Sequence, residues 1–262
     1  MTIMKNPRLI VSLTSYGDRL GTLSICLKSL LNQTRKADKI LVYLTDDIKE
    51  RHLPTSLREL RGKGVEYRFI PLDLKPHKKY YYAMQEFPDD IIVTVDDDVI
   101  YYKEMLSELY KTYLKFPKCI VTGRAHKITF NDDGSIRPYD DWDWCSQKCE
   151  QPSMKLLATG AGSVLYPPHL LDKKLLFNLD YIKHYITVDD LWLKLVEVLS
   201  NVPTVVCSLK IEKMREGIPD TQAQGLFNKN VGKNENDLYL KDLDREFSLA
   251  SKILAYEKSK EE

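Results

Sequence analysis

Between residues 9 and 100 the hydrophobic pattern changes period again and again, and this alternation constrains the fold more than any other feature of the chain. Leu9-Ile-Val-Ser-Leu13 is a short apolar run closed by a turn with Gly17 and Gly21. A helical pattern follows, with Leu23, Leu27, Leu30 and Leu31 on one face. Lys39 to Leu44 reads as a second strand, Leu53 to Leu60 as a helix opening on Pro54, and Val65 to Ile70, alternating at period two, as a third strand. Lys79 to Phe87 is a short helix, and Ile91-Ile-Val-Thr-Val95 is apolar enough to be a strand buried on both faces. Strands spaced by helices at this rhythm predict an α/β fold with a doubly wound, mostly parallel sheet.

Beyond Glu104 to Phe116, an amphipathic helix, the rhythm loosens. Residues 131–155 carry Asp, Gly, Pro, Trp and Ser without a period and read as an irregular flap. Leu156 to Tyr166 is apolar and glycine-rich, Val188 to Leu199 is helical, and Leu238 to Tyr256 reads as one C-terminal helix that docks on the domain. A formal net charge of +1 excludes global recruitment of nucleic acid or of an anionic membrane. No apolar stretch approaches the roughly 20 residues of a bilayer span, and Met1 to Arg8 lacks the apolar run of a signal peptide. The expectation is a cytoplasmic protein, with peripheral association at the inner face of the membrane left open. Cys26, Cys119 and Cys207 lie in apolar surroundings as reduced thiols, and Cys145-x3-Cys149 is a weak pairing or metal signal.

Ligands of open parallel sheets bind outside the carboxyl ends of the strands, where Asp96-Asp97-Asp98 follows the most apolar strand. In an extended segment Asp96 and Asp98 face one side and Asp97 the other. Two carboxylates on one side of a crevice repel unless a hard cation such as Mg2+ or Mn2+, or a donor hydroxyl, lies between them. The competing local reading is a helix cap by Asp98 near Tyr102.

Val93-Thr-Val-Asp-Asp-Asp-Val-Ile100 resembles the Asp-x-Asp motif of nucleotide-sugar glycosyltransferases of the GT-A fold. Val11-Ser-Leu-Thr-Ser-Tyr-Gly-Asp-Arg19, followed by Leu27-Lys-Ser-Leu-Leu-Asn-Gln-Thr34, is similar to the opening of glycosyltransferase family 2. The resemblance implies a single GT-A-like domain over 1–262, with about 1–102 as the nucleotide-sugar half and about 103–262 as the acceptor half. It implies that Thr14, Ser15 and Tyr16 hold the nucleoside, that Arg19 reaches the base or a phosphate, and that Asp46 or Asp47 receives the base imide. Asp98 and Asp96 are the implied metal ligands, with Asp97 beside them in the donor site.

Lys78 and Lys79, near a helix start, are poorly placed for the helix dipole, and a diphosphate would reverse that penalty; a solvated basic turn is the plain alternative. Gly160-Ala161-Gly162 resembles the loop beside donor sugar and acceptor, or is a tight turn. Asp189 and Asp190 match the acidic pair that supplies the base in inverting members, Asp190 foremost, with capping as the competitor. Gln-x-x-Arg-Trp is missing, so processive synthases are not resembled, and no His follows His184 to serve as a late metal ligand. Lys213 and Arg215, with residues 228–236, suggest a lid by polarity alone.

The implied activity is metal-assisted (Mn2+ or Mg2+), inverting transfer of a sugar from a UDP-sugar donor to a glycan or lipid-linked acceptor hydroxyl, as in surface polysaccharide biosynthesis. The alternatives are a sugar-nucleotide nucleotidyltransferase, disfavoured by the missing glycine-rich phosphate loop, and a catalytically silent carbohydrate- or nucleotide-binding protein. Tyr139, Trp142 and Trp144 either stack on sugars or anchor the flap.

Overall fold

The structure is a computed structural model that describes residues 6–146, 151–219, 221 and 235–260. Cys149 and most of the segment proposed as a lid therefore lie outside the described residues. The strands are β1 (Leu9–Thr14), β2 (Lys39–Thr45), β3 (Val65–Ile70), β4 (Ile91–Thr94), β5 (Val99–Ile100), β6 (Ile120–Thr122), β7 (Ala125–Lys127), β8 (Leu156–Ala158), β9 (Val164–Tyr166), β10 (Thr204–Val206) and β11 (Glu216–Gly217). The helices are α1 (Leu23–Leu31), α2 (Thr55–Arg61), α3 (Lys78–Glu86), α4 (Met105–Lys115), α5 (Lys173–Leu176), α6 (Leu179–His184), α7 (Asp189–Leu199), α8 (Leu209–Met214), α9 (Glu235–Phe247) and α10 (Leu249–Lys258).

Seven strands form the central sheet in the order β10-β6-β9-β4-β1-β2-β3. β1 pairs in parallel with β2 and β4, β2 with β3, and β10 with β6; only β9 runs antiparallel, wedged between β4 and β6. The α/β, GT-A-like, mostly parallel sheet expected from the alternating pattern is what forms. Period two sorts the side chains: Leu9, Val11 and Leu13 enter the core beneath α1, α2 and α4, while Ile10, Leu41 and Ile92 enter the opposite face with Ala83 of α3. A second core, around Trp192, Tyr185, Leu195 and Ile253, joins α7 to β9 and the C-terminal helices.

The "NQT" that ends α1 has a structural task. Gln33 is buried, its amide donates to the carbonyl of Tyr102 (2.8 Å), and its oxygen accepts from the Leu106 amide (3.0 Å). Thr34 N–H donates to the Lys103 carbonyl at 2.8 Å. The chain leaving the acidic run is thereby tied to the end of α1 before α4 begins.

Two of the sequence readings need correction. The C-terminal helix is two helices, broken at Ser248, whose φ of 56° lies in the left-handed region. The acidic run is not a helix cap, because α4 begins at Met105 with Glu104 at its cap. Leu156 to Tyr166 holds two strands of different sheets with a turn at Gly160–Gly162 between them.

Helix α7 is buried on nearly every side, and it carries an ion pair into the core: Lys194 Nζ lies 3.1 Å from Glu197 Oε2, each side chain 2% exposed, with the Thr204 hydroxyl donating to the same oxygen at 3.0 Å. Glu197→Ala strands an ammonium there and is expected to cost about 3–5 kcal/mol in chemical denaturation, whereas Lys194→Met/Glu197→Leu recovers most of the loss. A loss below about 1 kcal/mol in the single variant would show that water reaches the pair.

Candidate active site

The carboxyl ends of the neighbouring parallel strands β1 and β4 open on one edge, and the loops leaving them carry the groups of interest. β4 ends at Thr94, and β5 pairs antiparallel with β11, so residues 95–98 bend instead of continuing the pleat. The alternation expected for the three aspartates is therefore lost. Asp97 and Asp98 share Arg19, whose Nη1 lies 2.6 Å from Asp97 and whose Nη2 lies 3.1 Å from Asp98. Asp97 also accepts from Ser15 Oγ at 2.5 Å. Asp96 turns to Lys79 Nζ at 2.8 Å, and the Tyr101 hydroxyl accepts its amide at 2.8 Å.

Arg19 thus fastens the turn after β1 to the run after β4. It also donates to the carbonyl of Thr221 at 3.1 Å, while the Ile218 amide donates to the Asp98 carbonyl at 2.8 Å. Ile218 and Thr221 consequently lie along the acidic run, a contact that polarity alone only hinted at. Arg215 itself is paired with Glu212.

Lys79 is buried at the start of α3 and bridges two elements. Its Nζ lies 2.8 Å from Asp96 and 3.0 Å from Asp189 at the head of α7. Burial opposes its charge, but Asp189, Asp96 and Asp190 outweigh that cost and raise its proton affinity well above that of an ordinary lysine. Ser12 Oγ donates to the Lys79 carbonyl at 2.5 Å, fixing α3 against β1. Behind it His77 is fully buried: Nε2 donates to the Tyr185 carbonyl (2.9 Å), so Nδ1 accepts from the Tyr80 hydroxyl (2.9 Å), and burial holds the ring neutral. Lys78, the adjacent residue, pairs with Asp73 at 2.8 Å and is not brought to the acidic run.

The glycine loop completes the constellation. A Cβ on Gly160 would lie 2.7 Å from both Asp96 Oδ1 and Lys79 Nζ, so a side chain there would push the tips of these two side chains aside. The Gly160 amide faces Asp190 Oδ2 at 3.4 Å. Gly162 is equally constrained, since its Cβ would strike Arg124, whose Nη1 donates to the Thr159 hydroxyl at 2.8 Å. Asp189 and Asp190 do not cap α7: Val188 holds the cap position, with no side-chain cap bond. Burial, then Asp189, pushes Asp190 up to about 8, and burial, then Asp96, pushes Asp98 up to about 6.

Other expected residues are less engaged. Thr14 Oγ1 donates to the Tyr43 carbonyl at 2.8 Å, Tyr16 is 43% exposed, and Asp46 and Asp47 are exposed at the exit of β2. Tyr139 and Trp142 are buried, with the Trp142 indole donating to the Arg137 carbonyl (2.9 Å) and Tyr139 N–H to Asp237 (2.7 Å), so the flap-anchoring reading holds for these two. Trp144 is half-buried, its ring 4.6 Å from His126. Ser12, His77, Tyr101 and Arg124 belong to the site without standing in a sequence motif of their own. The one signal for them was Ser12 breaking an otherwise apolar strand.

Because Asp190 is about 8 when folded against an ordinary 3.8, its neutral form favours folding and stability falls as pH rises from about 4 to 8. Asp190→Asn is expected to melt a few degrees above the parent at pH 8.5 and equally at pH 4, roughly 2–4 °C per kcal/mol for a chain of this size. Equal melting at both pH values would refute the burial of this charge.

The model of the family described as glycosyl transferase family 2 matches residues 13–168, a stretch that includes the acidic run and the glycine loop but ends before Asp189 and Asp190. Among solved structures, the fold resembles S. aureus TarS 1-349 in complex with UDP, at 14% identity and a TM-score of 0.50, covering 78% of this chain and 58% of that one. A further crystal structure of S. aureus TarS 1-349 gives 15% identity, a TM-score of 0.49, and 79% and 59% coverage. The chain therefore spans less than two thirds of those structures, and at such identity the likeness is one of fold. No curated protein matches the sequence. With more than half of its length under the family model, and its acidic run and glycine loop joined at one edge of the sheet, the chain belongs to glycosyl transferase family 2.

Proposed function

We propose that the protein transfers a sugar from a nucleotide sugar to a hydroxyl of a glycan or lipid-linked acceptor, with inversion at the anomeric carbon. The observation that carries this reading is the meeting at Gly160 of the acidic run, a buried lysine and the Asp189–Asp190 pair. A donor diphosphate beside Asp96–Asp98 has its sugar near Gly160, within reach of a base on α7. UDP is the first nucleotide to test, since a solved structure of the same fold is a UDP complex.

In the proposed step, Asp190 takes the proton of the acceptor hydroxyl while that oxygen forms its bond to the anomeric carbon. The bond to the diphosphate oxygen breaks, and its electron pair leaves with the nucleoside diphosphate. A carboxyl poised near neutrality suits this task, because base strength and the ionised fraction are both adequate there.

The residues also fit a divalent cation. Asp96 and Asp98 supply oxygen donors, and burial, then Asp96, raises the proton affinity of Asp98. Among the described residues no group of three or more His, Cys, Asp and Glu side chains is placed to hold a metal. Asp98 and Asp96 would then hold Mn2+ or Mg2+ with diphosphate oxygens and water completing the shell, as suits a hard ion. Such an ion would supply charge stabilisation for the departing diphosphate.

Among the described residues no helix is long and apolar enough to cross a membrane. A catalytic site on the inner side of a membrane, reached by peripheral association, is part of the same proposal, as is a role in polysaccharide synthesis.

Two experiments test the reading. UDP with Mn2+ should raise the melting temperature of the parent, and Asp98→Ala should reduce that rise to the level of UDP alone. An undiminished Mn2+-dependent rise in the variant would remove Asp98 from the metal site. In a screen of nucleotide sugars, Asp190→Asn should lose about 10²–10⁴ of the transfer rate while still binding UDP. Transfer at the parental rate would remove the base, and pyrophosphate release from a nucleoside triphosphate would favour the nucleotidyltransferase.

A further inference from the structure

The two acidic residues at the head of α7 have different surroundings although they are adjacent in the chain. Asp189 is buried, and its Oδ2 lies 3.0 Å from Lys79 Nζ, an ion pair that lacks hydrogen-bond geometry. Asp190 is half-buried, and the Gly160 amide makes a long approach to it at 3.4 Å. Successive residues of a helix point about 100° apart, so one aspartate faces the lysine while the other faces the loop.

Lys79 is held as a fixed point. Its carbonyl is bonded by Ser12 on β1, the neutral His77 behind it is locked between Tyr80 and Tyr185, and Gly160 lies so near that a Cβ there would come within 2.7 Å of its Nζ. An ammonium clamped at 2.8 and 3.0 Å between Asp96 and Asp189 cannot move toward Asp190 without abandoning one of them. Asp189 Oδ2 is thereby occupied by the Lys79 ammonium, whereas Asp190 faces the Gly160 loop.

On the reading that this chain is a transferase using an α7 carboxylate as base, we infer that Lys79 is a positioning residue: by immobilising Asp189 and anchoring it to the donor-side Asp96, it leaves Asp190 as the base and sets its distance from the donor. The proton balance is that of the proposed step, from acceptor hydroxyl to Asp190, and Lys79 neither gains nor loses one. The charged and titratable groups that act on Asp190 are Asp189 on its own helix, Lys79 on α3, Asp96 after β4, Tyr139 of the flap and Tyr166 on β9. Neutral burial of Tyr139 and Tyr166 leaves Lys79 as the nearby cation whose removal is felt.

The test compares Lys79→Met, Lys79→Arg, Asp189→Asn, Lys79→Met/Asp189→Asn and Asp190→Asn, using kcat against pH with the donor found by screening, and melting temperature against pH without ligand. Lys79→Met should move the rising limb of kcat to higher pH by about one unit, roughly tenfold in proton affinity, with donor KM changing less than kcat. Lys79→Arg should restore most of the limb, because it keeps the cation. Asp189→Asn should move the limb to lower pH and keep at least about a tenth of the rate, and the double variant should return toward the parent. An unmoved limb in Lys79→Met overturns the inference, as does an Asp189→Asn loss equal to that of Asp190→Asn. If no donor supports transfer, the proposed function fails, yet the melting series still decides the Lys79–Asp189 coupling. There Lys79→Met should lose stability with rising pH more steeply than the parent, and the double variant should not; equal slopes overturn it. Should Lys79→Met fail to fold, Lys79→Arg against Asp189→Asn supplies the same comparison, and coincident limbs in those two overturn it.

Discussion

A single buried ammonium organises the site. Lys79 sits where β1, β4, the glycine loop and α7 come together, and each of these elements has a feature that makes sense only with a cation there. Asp96 and Asp189 arrive from opposite sides of it, within 3.0 Å. Charges of like sign gathered at a sheet edge would repel by several kcal/mol at the low effective dielectric of a partly buried cleft, and Lys79 converts that repulsion into a bridge between the two halves of the chain. Arg19 does the same on the outer side, where it joins Asp97 and Asp98 to the turn after β1.

The scaffold supports this arrangement at some expense to local preference. Gly160 gives up a side chain so that backbone can pass a carboxylate and an ammonium, and Gly162 does so for Arg124. His77 is buried without charge, held by a tyrosine hydroxyl and a helix-end carbonyl. Helix α7 is packed on nearly all faces, so its first turn has little freedom to move. Such rigidity is what positioning of a base requires, since small displacements of a reacting group carry large losses in rate.

Much of the fold could be read from the chain because hydrophobic period is a direct consequence of burial. β1 to β4 and helices α1, α3, α4 and α7 fall within a residue or two of the segments the pattern marks. The break at Ser248 could not be read, because the apolar spacing runs through it and serine carries no left-handed signature. The site was legible in its parts but not in its pairings. Lys78 and Lys79 are indistinguishable by sequence, yet a rotation of about 100° sends one to Asp73 and the other to Asp96. The alternation rule failed at Asp96–Asp98 because the strand ends at Thr94, and a pairing with Glu216–Gly217, more than 100 residues away, bends the chain. Interactions of that range leave no local pattern.

Membership of glycosyl transferase family 2 and the GT-A-like sheet place the acidic run and the glycine loop at one edge; the account turns on whether that edge receives a nucleotide. The most direct measurement is a crystal structure with UDP and Mn2+, located by the anomalous scattering of manganese. The account predicts one manganese peak within coordination distance of Asp98 and Asp96, with the diphosphate between it and the Gly160 loop. A nucleotide bound elsewhere, or at this edge with the manganese on other residues, would contradict it.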